Sequence, residues 1–214
     1  MQKNLENLEI FDLDGNFLEI KKRDKYYEEI KKEFSETGKI SKKVKTIKLF
    51  LLNSSGEIYV QKRSKQKNEN SGLFDKTVGG HVISGHSFDF SVVKECLEEL
   101  DIPITILPKN DFKKILNLDL EKIGVFQQVE LVENFISIRK SINGEIFEQP
   151  LKNLFYIGYY DGIVKCKDQE ASGIELIELQ DLKKDILKNP ELFTEDLKFM
   201  LQRYEKFLVP IKKS

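Results

Sequence analysis

Three glutamates stand at helical spacing within residues 94–100. Glu95, Glu98 and Glu99 occupy positions i, i+3 and i+4, and because each helical residue advances about 100°, they share one side of a helix. Like charges at this spacing repel one another, and a divalent cation would turn that repulsion into a binding site. Magnesium prefers oxygen ligands and is often held by carboxylates together with substrate phosphates. For three glutamates alone a solvated helix face is the more common arrangement, and a metal site for phosphate chemistry is the alternative that the preceding glycine pair favours.

The elements around these glutamates must position them. We expect Ser87 to cap the N-terminus of this helix and Asp101 to end it. Gly79 and Gly80 precede it, and a glycine pair lets the backbone approach a ligand closely. The opposite side of the helix is predicted to pack in the core through Val93, Cys96, Leu97 and Leu100.

Residues 80–102 resemble the Nudix box, whose pattern is G-x5-E-x7-R-E-U-x-E-E-x-G-U, with U a bulky aliphatic residue. With Gly80 as the first glycine, the three glutamates match and the spacing is intact over the whole box. Four positions differ: His86 stands for Glu, Lys94 for Arg, Cys96 for the aliphatic residue and Asp101 for Gly. The flanks resemble the Nudix subgroup related to isopentenyl-diphosphate isomerase, at residues 56–64, 72–82, 155–162, 170–172 and 190–194.

The resemblance implies an α/β fold, namely an α/β/α sandwich with a mixed β-sheet and the box helix at the site. We expect residues 41–208 to form the Nudix domain. Residues 1–40 are expected to add a hairpin and a helix that pack on it, within a single-domain protein. In this reading Asp14-Gly15 turns the hairpin, and Gly38 ends the helix.

The resemblance also implies the roles of the site residues. Magnesium, with manganese as an alternative, is expected on Glu95, Glu98 and Glu99. Catalytic roles are expected for Glu98, Glu99, Lys94 and Glu170. Substrate contacts are expected from Arg63, Gly79, Gly80 and His81. Lys94 keeps the charge of the family's arginine but loses its bidentate fork.

Structural alternatives stand beside several of these roles. Glu170 is otherwise a surface loop charge, and Arg63 a solvated strand end. His81 is otherwise a loop histidine bonded to backbone, and His86 a solvent-facing one. An isomerase of this fold needs a cysteine in the strand before the box, and residues 75–80 contain none. Isomerase activity by that mechanism is therefore not expected.

The implied function is a Mg²⁺-dependent Nudix hydrolase that cleaves a diphosphate bond in a nucleoside diphosphate linked to another group. The alternative is a catalytically weakened Nudix-fold protein that binds a nucleotide or acts as a regulator. The departures at His86 and Lys94 motivate this second hypothesis.

Composition sets limits on the partners. The 35 Lys and Arg against 36 Asp and Glu give a net charge of −1, so neither a nucleic-acid nor a membrane partner is expected. Two cysteines suit a reducing compartment, and the N-terminus lacks a secretory apolar region, so a cytoplasmic protein is expected. The expected partner is a small-molecule diphosphate, and a homodimer is left open.

The remaining elements follow from periodicity and turn signals. Strands are predicted at 44–53, 58–64, 154–161 and 174–179, with two more around Asn143-Gly144 in 123–149. Helices are predicted at 87–100, 181–188 and 195–207, and loosely at 109–122. Six aromatic residues in or just after the section 103–153 could stack on a base, but core or dimer contacts are favoured for them: Phe126, Phe135, Phe147, Tyr156, Tyr159 and Tyr160.

Overall fold

The computed structural model describes residues 6–167 and 171–211. The N-terminal elements are β1 (Asn7–Asp12), β2 (Phe17–Lys22), α1 (Arg23–Thr37), β3 (Lys42–Leu52), β4 (Ile58–Arg63), β5 (Phe74–Asp75) and β6 (Val78–His81). There follow α2 (Phe88–Leu100), β7 (Ile104–Ile106), β8 (Gly124–Lys140), β9 (Ile146–Tyr159), β10 (Ala171–Ile177), α3 (Leu179–Lys188) and α4 (Glu195–Tyr204).

The strands form one mixed sheet. Its main path runs β10-β4-β3-β9-β8-β7, in which β3 pairs parallel to β9 and β7 parallel to β8. The N-terminal hairpin joins the same sheet, because β1 pairs antiparallel to β3. The short strand β6 also pairs with β3. The predicted α/β fold with a mixed sheet is confirmed.

Alternation along β3 separates two core layers. Val44, Phe50 and Leu52 pack in a cluster that also holds apolar residues of α1, α3 and α4. Ile47, Leu49 and Leu51 pack on the other face, in a cluster with Val92, Cys96 and Leu100 of α2. The sheet therefore lies between α2 on one side and the remaining helices on the other.

The section after α2 differs from its prediction. Strand β9 runs unbroken from Ile146 to Tyr159, whereas two separate strands were expected. Pro150 lies within this strand although proline lacks the N–H that a ladder needs. The pairing instead adjusts on β8, whose register shifts between Val132 and Phe135. The loosely helical stretch is reduced to a 3₁₀ turn at Phe112–Asn117.

The six aromatic residues of this section are buried in the core, as favoured above. They contribute to the long β8–β9 hairpin and to the strand ends beside it. No described helix has the length and apolar character needed to cross a membrane.

Candidate active site

A cleft of about 400 Å³ opens beside β6. Gly79, Gly80 and His81 form one edge, and Glu95 of α2 lies against them. Its volume falls in the range of roughly 300–1,000 Å³ usual for small-molecule sites. Among the described lining residues, seven are lysine or arginine and four are aspartate or glutamate. The cleft is therefore suited to an anionic ligand, although the whole chain is nearly neutral.

The glycine pair makes room for two charged side chains. A Cβ on Gly80 would lie 2.6 Å from the Cδ and Oε1 atoms of Glu95. A Cβ on Gly79 would lie 2.7 Å from Cε of Lys76. Both glycines line the cleft, as a substrate contact requires, and the contact itself stays a prediction. In the structure, the absence of a Cβ on these glycines leaves room for the side chains of Glu95 and Lys76.

The box helix has the predicted ends. Ser87 Oγ accepts a hydrogen bond from the Phe90 backbone N–H at 3.1 Å. Asp101 adopts a left-handed conformation with φ 59°, and its N–H donates to the Cys96 carbonyl. Aspartate tolerates this conformation better than most residues, which explains why it can replace the glycine of the pattern.

The predicted orientation of this helix is partly wrong. Cys96 and Leu100 are buried as expected, but Val93 is 37% and Leu97 52% exposed. The buried arc instead includes Glu95 and Glu99, each only 3% exposed. For Glu95 the cause is Gly80 of β6, which has no Cβ and so leaves the space that the carboxylate fills. Hydrophobicity alone pointed to the wrong pair of residues.

The three glutamates differ in their surroundings. Glu95 lines the cleft, whereas the Glu99 carboxylate lies 3.5 Å from the Gln61 amide, which donates to it. Glu98 is the accessible member, with a side chain 31% exposed. The structure therefore separates two buried carboxylates from one at the solvent boundary.

Lys94 lies within ion-pair distance of three carboxylates. Its Nζ lies 3.2 Å from Glu98 Oε2, 3.6 Å from Glu6 Oε1 and 4.0 Å from Glu95 Oε1. These contacts are compatible with positioning the carboxylates, and the catalytic role expected for Lys94 stays a prediction. Glu6 was not predicted, and no motif around it could have drawn attention to it.

The donor chemistry of the three glutamates fits a hard divalent cation, which takes carboxylate oxygens. Across residues 6–167 and 171–211, however, no three His, Cys, Asp or Glu side chains are gathered as a metal-binding group. Lys94 instead interacts with Glu95 and Glu98. Metal binding by Glu95, Glu98 and Glu99 stays a prediction, and it requires Lys94 to share or release these carboxylates.

His81 is held by a residue of the N-terminal helix. Its Nε2 lies 2.8 Å from the Tyr27 hydroxyl, and the Gln149 amide donates to the same hydroxyl at 3.2 Å. The two rings meet edge to face. The α1 helix therefore contributes directly to the cleft and fixes the histidine that was expected to contact substrate.

Arg63 lines the cleft but already has several acceptors. Its guanidinium donates to Asp75 Oδ2 at 3.1 Å and to the carbonyls of Asn70 and Glu69 at 3.1 and 3.0 Å. These bonds anchor the loop 64–73 to the end of β4. The predicted substrate contact stays a prediction, beside this evident structural role.

The floor of the cleft, formed by Lys48, Lys76 and Arg139 around the buried Asp75 and Asp196, was not predicted from the sequence. Here Lys48 Nζ lies 3.4 Å and Lys76 Nζ 3.5 Å from Asp196 Oδ2. Lys76 also lies 3.0 Å from both carboxylate oxygens of Asp75. The available signal was Lys48 itself, a lysine within the apolar run of β3.

The buried aspartates of the floor remain ionised. Burial by itself would raise the pKa of Asp75, but Lys76, Arg63 and the Thr194 hydroxyl hold it well below its usual range. For Asp196, burial is likewise outweighed by Lys48, Lys76 and Arg139, so its pKa is lowered. The floor is a network of charges rather than of neutral hydrogen bonds.

No family model matches the chain. The uncharacterised Nudix hydrolase all7351 of Nostoc sp. is 24% identical over 148 residues, which cover 63% of this chain and 82% of the relative. An isopentenyl-diphosphate Delta-isomerase of Serratia proteamaculans is 22% identical over 146 residues, which cover 68% of each protein.

Solved structures agree with these relatives. DR0079 of Deinococcus radiodurans superposes with a TM-score of 0.59 at 18% identity, covering 92% of this chain and 98% of that one. The Nudix domain of Shewanella oneidensis NrtR, solved with ADP ribose, superposes with a TM-score of 0.50 at 12% identity, covering 83% and 98%. This chain is similar in sequence to Nudix hydrolases and has the Nudix fold.

Within the Nudix box, His86 stands apart from the glutamates. Its ring packs edge to face on Phe90, with centroids 4.7 Å apart. Its Nδ1 is buried and has no hydrogen-bond partner in the described part of the chain. The histidine that replaces the first box glutamate thus makes a packing contact. It does not line the cleft.

Neither cysteine of this chain is among the described residues that line the cleft, so no thiol is placed there for isomerase chemistry. Burial, with Glu99 and Glu95 nearby, raises the pKa of the Cys96 thiol well above its ordinary value, so this residue is a poor nucleophile. Cys166 is exposed and does not line the cleft. Glu170, predicted as a base or metal ligand, lies outside the described residues.

Proposed function

We propose that this protein is a Mg²⁺-dependent Nudix pyrophosphohydrolase. Its substrate would be a small molecule in which a diphosphate bond joins a nucleoside to another group. The observation that carries the proposal is the cleft itself. It sets the box carboxylate Glu95 against the glycine edge of β6, within a lining rich in lysine and arginine. The box carboxylates can bind a cation while the lysine and arginine side chains of the lining bind the phosphates.

The metal, when bound, would neutralise the diphosphate and lower the pKa of an attacking water. Glu95, Glu98 and Glu99 are the residues that would hold it. Lys94 positions these carboxylates, since it contacts Glu95 and Glu98 together with Glu6. Most of the rate enhancement would come from positioning and charge stabilisation.

The proton of the attacking water needs an acceptor. Glu98 is the proposed base, because its carboxylate is partly exposed and Lys94 holds it at 3.2 Å. Glu170 is the alternative base. On the substrate side, the Tyr27 hydroxyl orients His81, whose ring faces the cleft and would contact the diphosphate.

A second candidate function is a Nudix-fold protein that binds a nucleotide without hydrolysing it. It is favoured by the pairing of Lys94 with two box carboxylates and by the packing of His86 on Phe90. The Nudix domain of NrtR, solved with ADP ribose, is a relative in fold with such a ligand. We further propose a cytoplasmic location and no nucleic-acid or membrane partner for either function.

The deciding experiment measures product release from a panel of nucleoside-diphosphate compounds, with and without Mg²⁺. Wild type is compared with Glu98→Gln and Glu99→Gln. The matched control is Glu28→Gln, which changes an exposed helical glutamate paired with Lys25. We expect Mg²⁺-dependent turnover that falls by about 100-fold or more in both box variants and is unchanged in the control.

Two other outcomes would count against hydrolysis. Turnover that survives both box substitutions would remove the glutamates from the mechanism. No turnover on the whole panel, with a thermal shift on adding ADP-ribose, would favour the binding protein. The double substitution His86→Glu with Lys94→Arg then tests whether restoring the box pattern restores activity.

A further inference from the structure

Three cations converge on the floor of the cleft from different elements. Lys48 lies on β3, Lys76 between β5 and β6, and Arg139 on β8. Strand alternation puts Phe135, Ser137 and Arg139 on one face of β8. On that face Lys48 Nζ lies 5.0 Å from the Phe135 ring centroid, and the Ser137 hydroxyl donates to Asp196 at 2.8 Å. The three cations therefore surround Asp196.

The charges of the floor do not balance. Lys48, Lys76, Arg139 and the neighbouring Arg63 face two buried carboxylates, Asp75 and Asp196. Glu69 also acts on Arg139, but its charge is matched by Lys31, which lies 2.9 Å from it. Within the described residues, this leaves an excess of two positive charges when all groups are ionised. Uncompensated charge in a protein interior is costly. A ligand with two negative charges would balance the floor.

Arg139 has the donors such a ligand needs. Its Nε is buried with no hydrogen-bond partner, and no hydrogen bond or ion pair holds its side chain within residues 6–167 and 171–211. A guanidinium carries five N–H donors in a planar fork. This fork matches the spacing of two phosphate oxygens. The one floor cation without a direct acceptor is thus the residue type best suited to phosphate.

Lys48 responds to the same imbalance. Burial lowers its pKa to about 7, and the positive charges of Lys76 and Arg139 lower it further. Together these effects outweigh the attraction of Asp196 and Asp75. An anion beside it would favour the protonated form. Ligand binding would therefore be accompanied by proton uptake near neutral pH.

The floor offers little to a nucleobase. Tyr27 and Ile47 are the large apolar or aromatic residues among the described lining, apart from His81. The aromatic residues of the β8–β9 hairpin are in the core instead. A charged group rather than a stacked base fits this end of the cleft.

We propose that Lys48, Lys76 and Arg139 form an anion subsite that binds a phosphate at the end of the substrate. The subsite is separate from the box carboxylates. It selects substrates that end in a phosphate, such as nucleoside triphosphates, over those that end in a neutral sugar. Only the link to cleavage rests on the proposed function, since phosphate binding does not require hydrolysis.

The test is calorimetric titration of the full chain without divalent metal, using inorganic phosphate, sulfate, ATP and ADP-ribose as probes. We expect binding of phosphate and sulfate, and tighter binding of ATP than of ADP-ribose. Arg139→Gln should weaken phosphate binding by tenfold or more, and Arg139→Lys by less because it keeps the charge. Lys122→Met, at an exposed lysine, is the control and should change nothing.

Sulfate also tests Lys48, because sulfate itself does not titrate between pH 6 and 9. Its affinity should fall as the pH rises through about 7, and Lys48→Met should weaken binding and flatten this profile. The charged groups that face Lys48 are Asp196 from α4, Arg139 from β8, and Asp75 with Lys76. Thermal unfolding of each variant checks that it is folded. If Lys48→Met does not fold, the phosphate affinity of Arg139→Gln still tests the subsite.

The inference and the proposed function can fail separately. Equal phosphate binding by wild type and Arg139→Gln, or no binding by either, would overturn the subsite even if hydrolysis is found. Arg139-dependent phosphate binding with equal affinity for ATP and ADP-ribose would overturn the selectivity. Absence of hydrolysis on every compound would overturn the enzyme while leaving these binding results intact.

Discussion

The box helix and the floor of the cleft carry opposite charge. The acidic wall is the part of α2 that carries Glu95, Glu98 and Glu99, of which Glu95 is the one among the described residues lining the cleft. Lys94 contacts Glu95 and Glu98. The basic floor, defined by Lys48, Lys76 and Arg139, gathers cations from three separate elements around Asp196. One side calls for a cation and the other for an anion. Together they suit a metal-bound phosphate compound.

The comparison also shows how net charge can mislead. Across the whole chain the charges almost cancel, at 35 against 36. Inside the cleft, seven basic residues stand against four acidic ones among the described lining. Local segregation of charge, not the overall sum, determines which ligand the cleft attracts.

The largest expected effect lies on the floor. Asp196→Asn removes the carboxylate that Lys48 and Lys76 share, and breaking a buried pair from one side costs about 3–5 kcal/mol. Denaturant unfolding should show this loss. Asp181→Asn, in an exposed pair with Lys184, is the control and should change the free energy of unfolding by less than about 0.5 kcal/mol. Similar losses in both variants would mean that the floor network is not stabilising.

The same network sets the response to acid. The pKa values of Asp75 and Asp196 are lowered by folding, so their contribution to stability is present above the ordinary value of 3.8. It is lost as the pH falls below 3.8 toward the folded pKa values. The unfolding free energy of wild type should therefore drop more steeply below pH 4 than that of Asp196→Asn.

The next effect lies where the two sides meet. Gly80→Ala would place a Cβ 2.6 Å from the Glu95 carboxylate, and overpacking of this kind costs about 1–3 kcal/mol. Because Glu95 must move, turnover should fall with stability. Gly173→Ala is the matched control, since within the described residues no atom beyond its chain neighbours lies within 4 Å of its added Cβ. Full activity in Gly80→Ala would separate Glu95 from the chemistry.

A smaller effect concerns the charge state of Lys48. Its folded pKa of about 7 lies below the ordinary lysine value of 10.5, so the unfolded chain binds more protons between these values. Wild-type stability should therefore rise with pH in this window relative to Lys48→Met, by up to about 1.4 kcal/mol per pH unit. Taking the difference between the two proteins cancels other titrating groups. A difference that is flat from pH 7 to 9 would contradict the lowered pKa.

The smallest effect sharpens the acidic wall. Lys94→Arg supplies a fork that could engage two carboxylates at once, where the lysine reaches only Glu98 within 3.5 Å. We expect turnover to rise by about two- to fivefold, which is below roughly 1 kcal/mol. Lys198→Arg, at the lysine paired with Glu195, should leave turnover unchanged. A fall in turnover in Lys94→Arg alone would mean that the lysine is required.

The two sides of the cleft differ in how far they could be predicted. The glutamates, the glycine pair and the helix caps lie within about 25 residues of one another, and their spacing carries a recognisable pattern. Even there, the exposure of Val93 and Leu97 was missed, since it depends on the space left by Gly80. Glu6 and Tyr27 were missed because nothing in their local sequence links them to a site.

What the sequence determined by itself is therefore local: the box helix with its caps, the N-terminal hairpin and the Nudix resemblance. Only the tertiary structure decided the floor of the cleft, since Lys48, Lys76, Arg139 and Asp196 are far apart along the chain. Helical periodicity is a property of neighbouring residues and can be read from their order. A network of buried charges depends on which strands pair and which helix covers them, and that arrangement exists only in the folded chain.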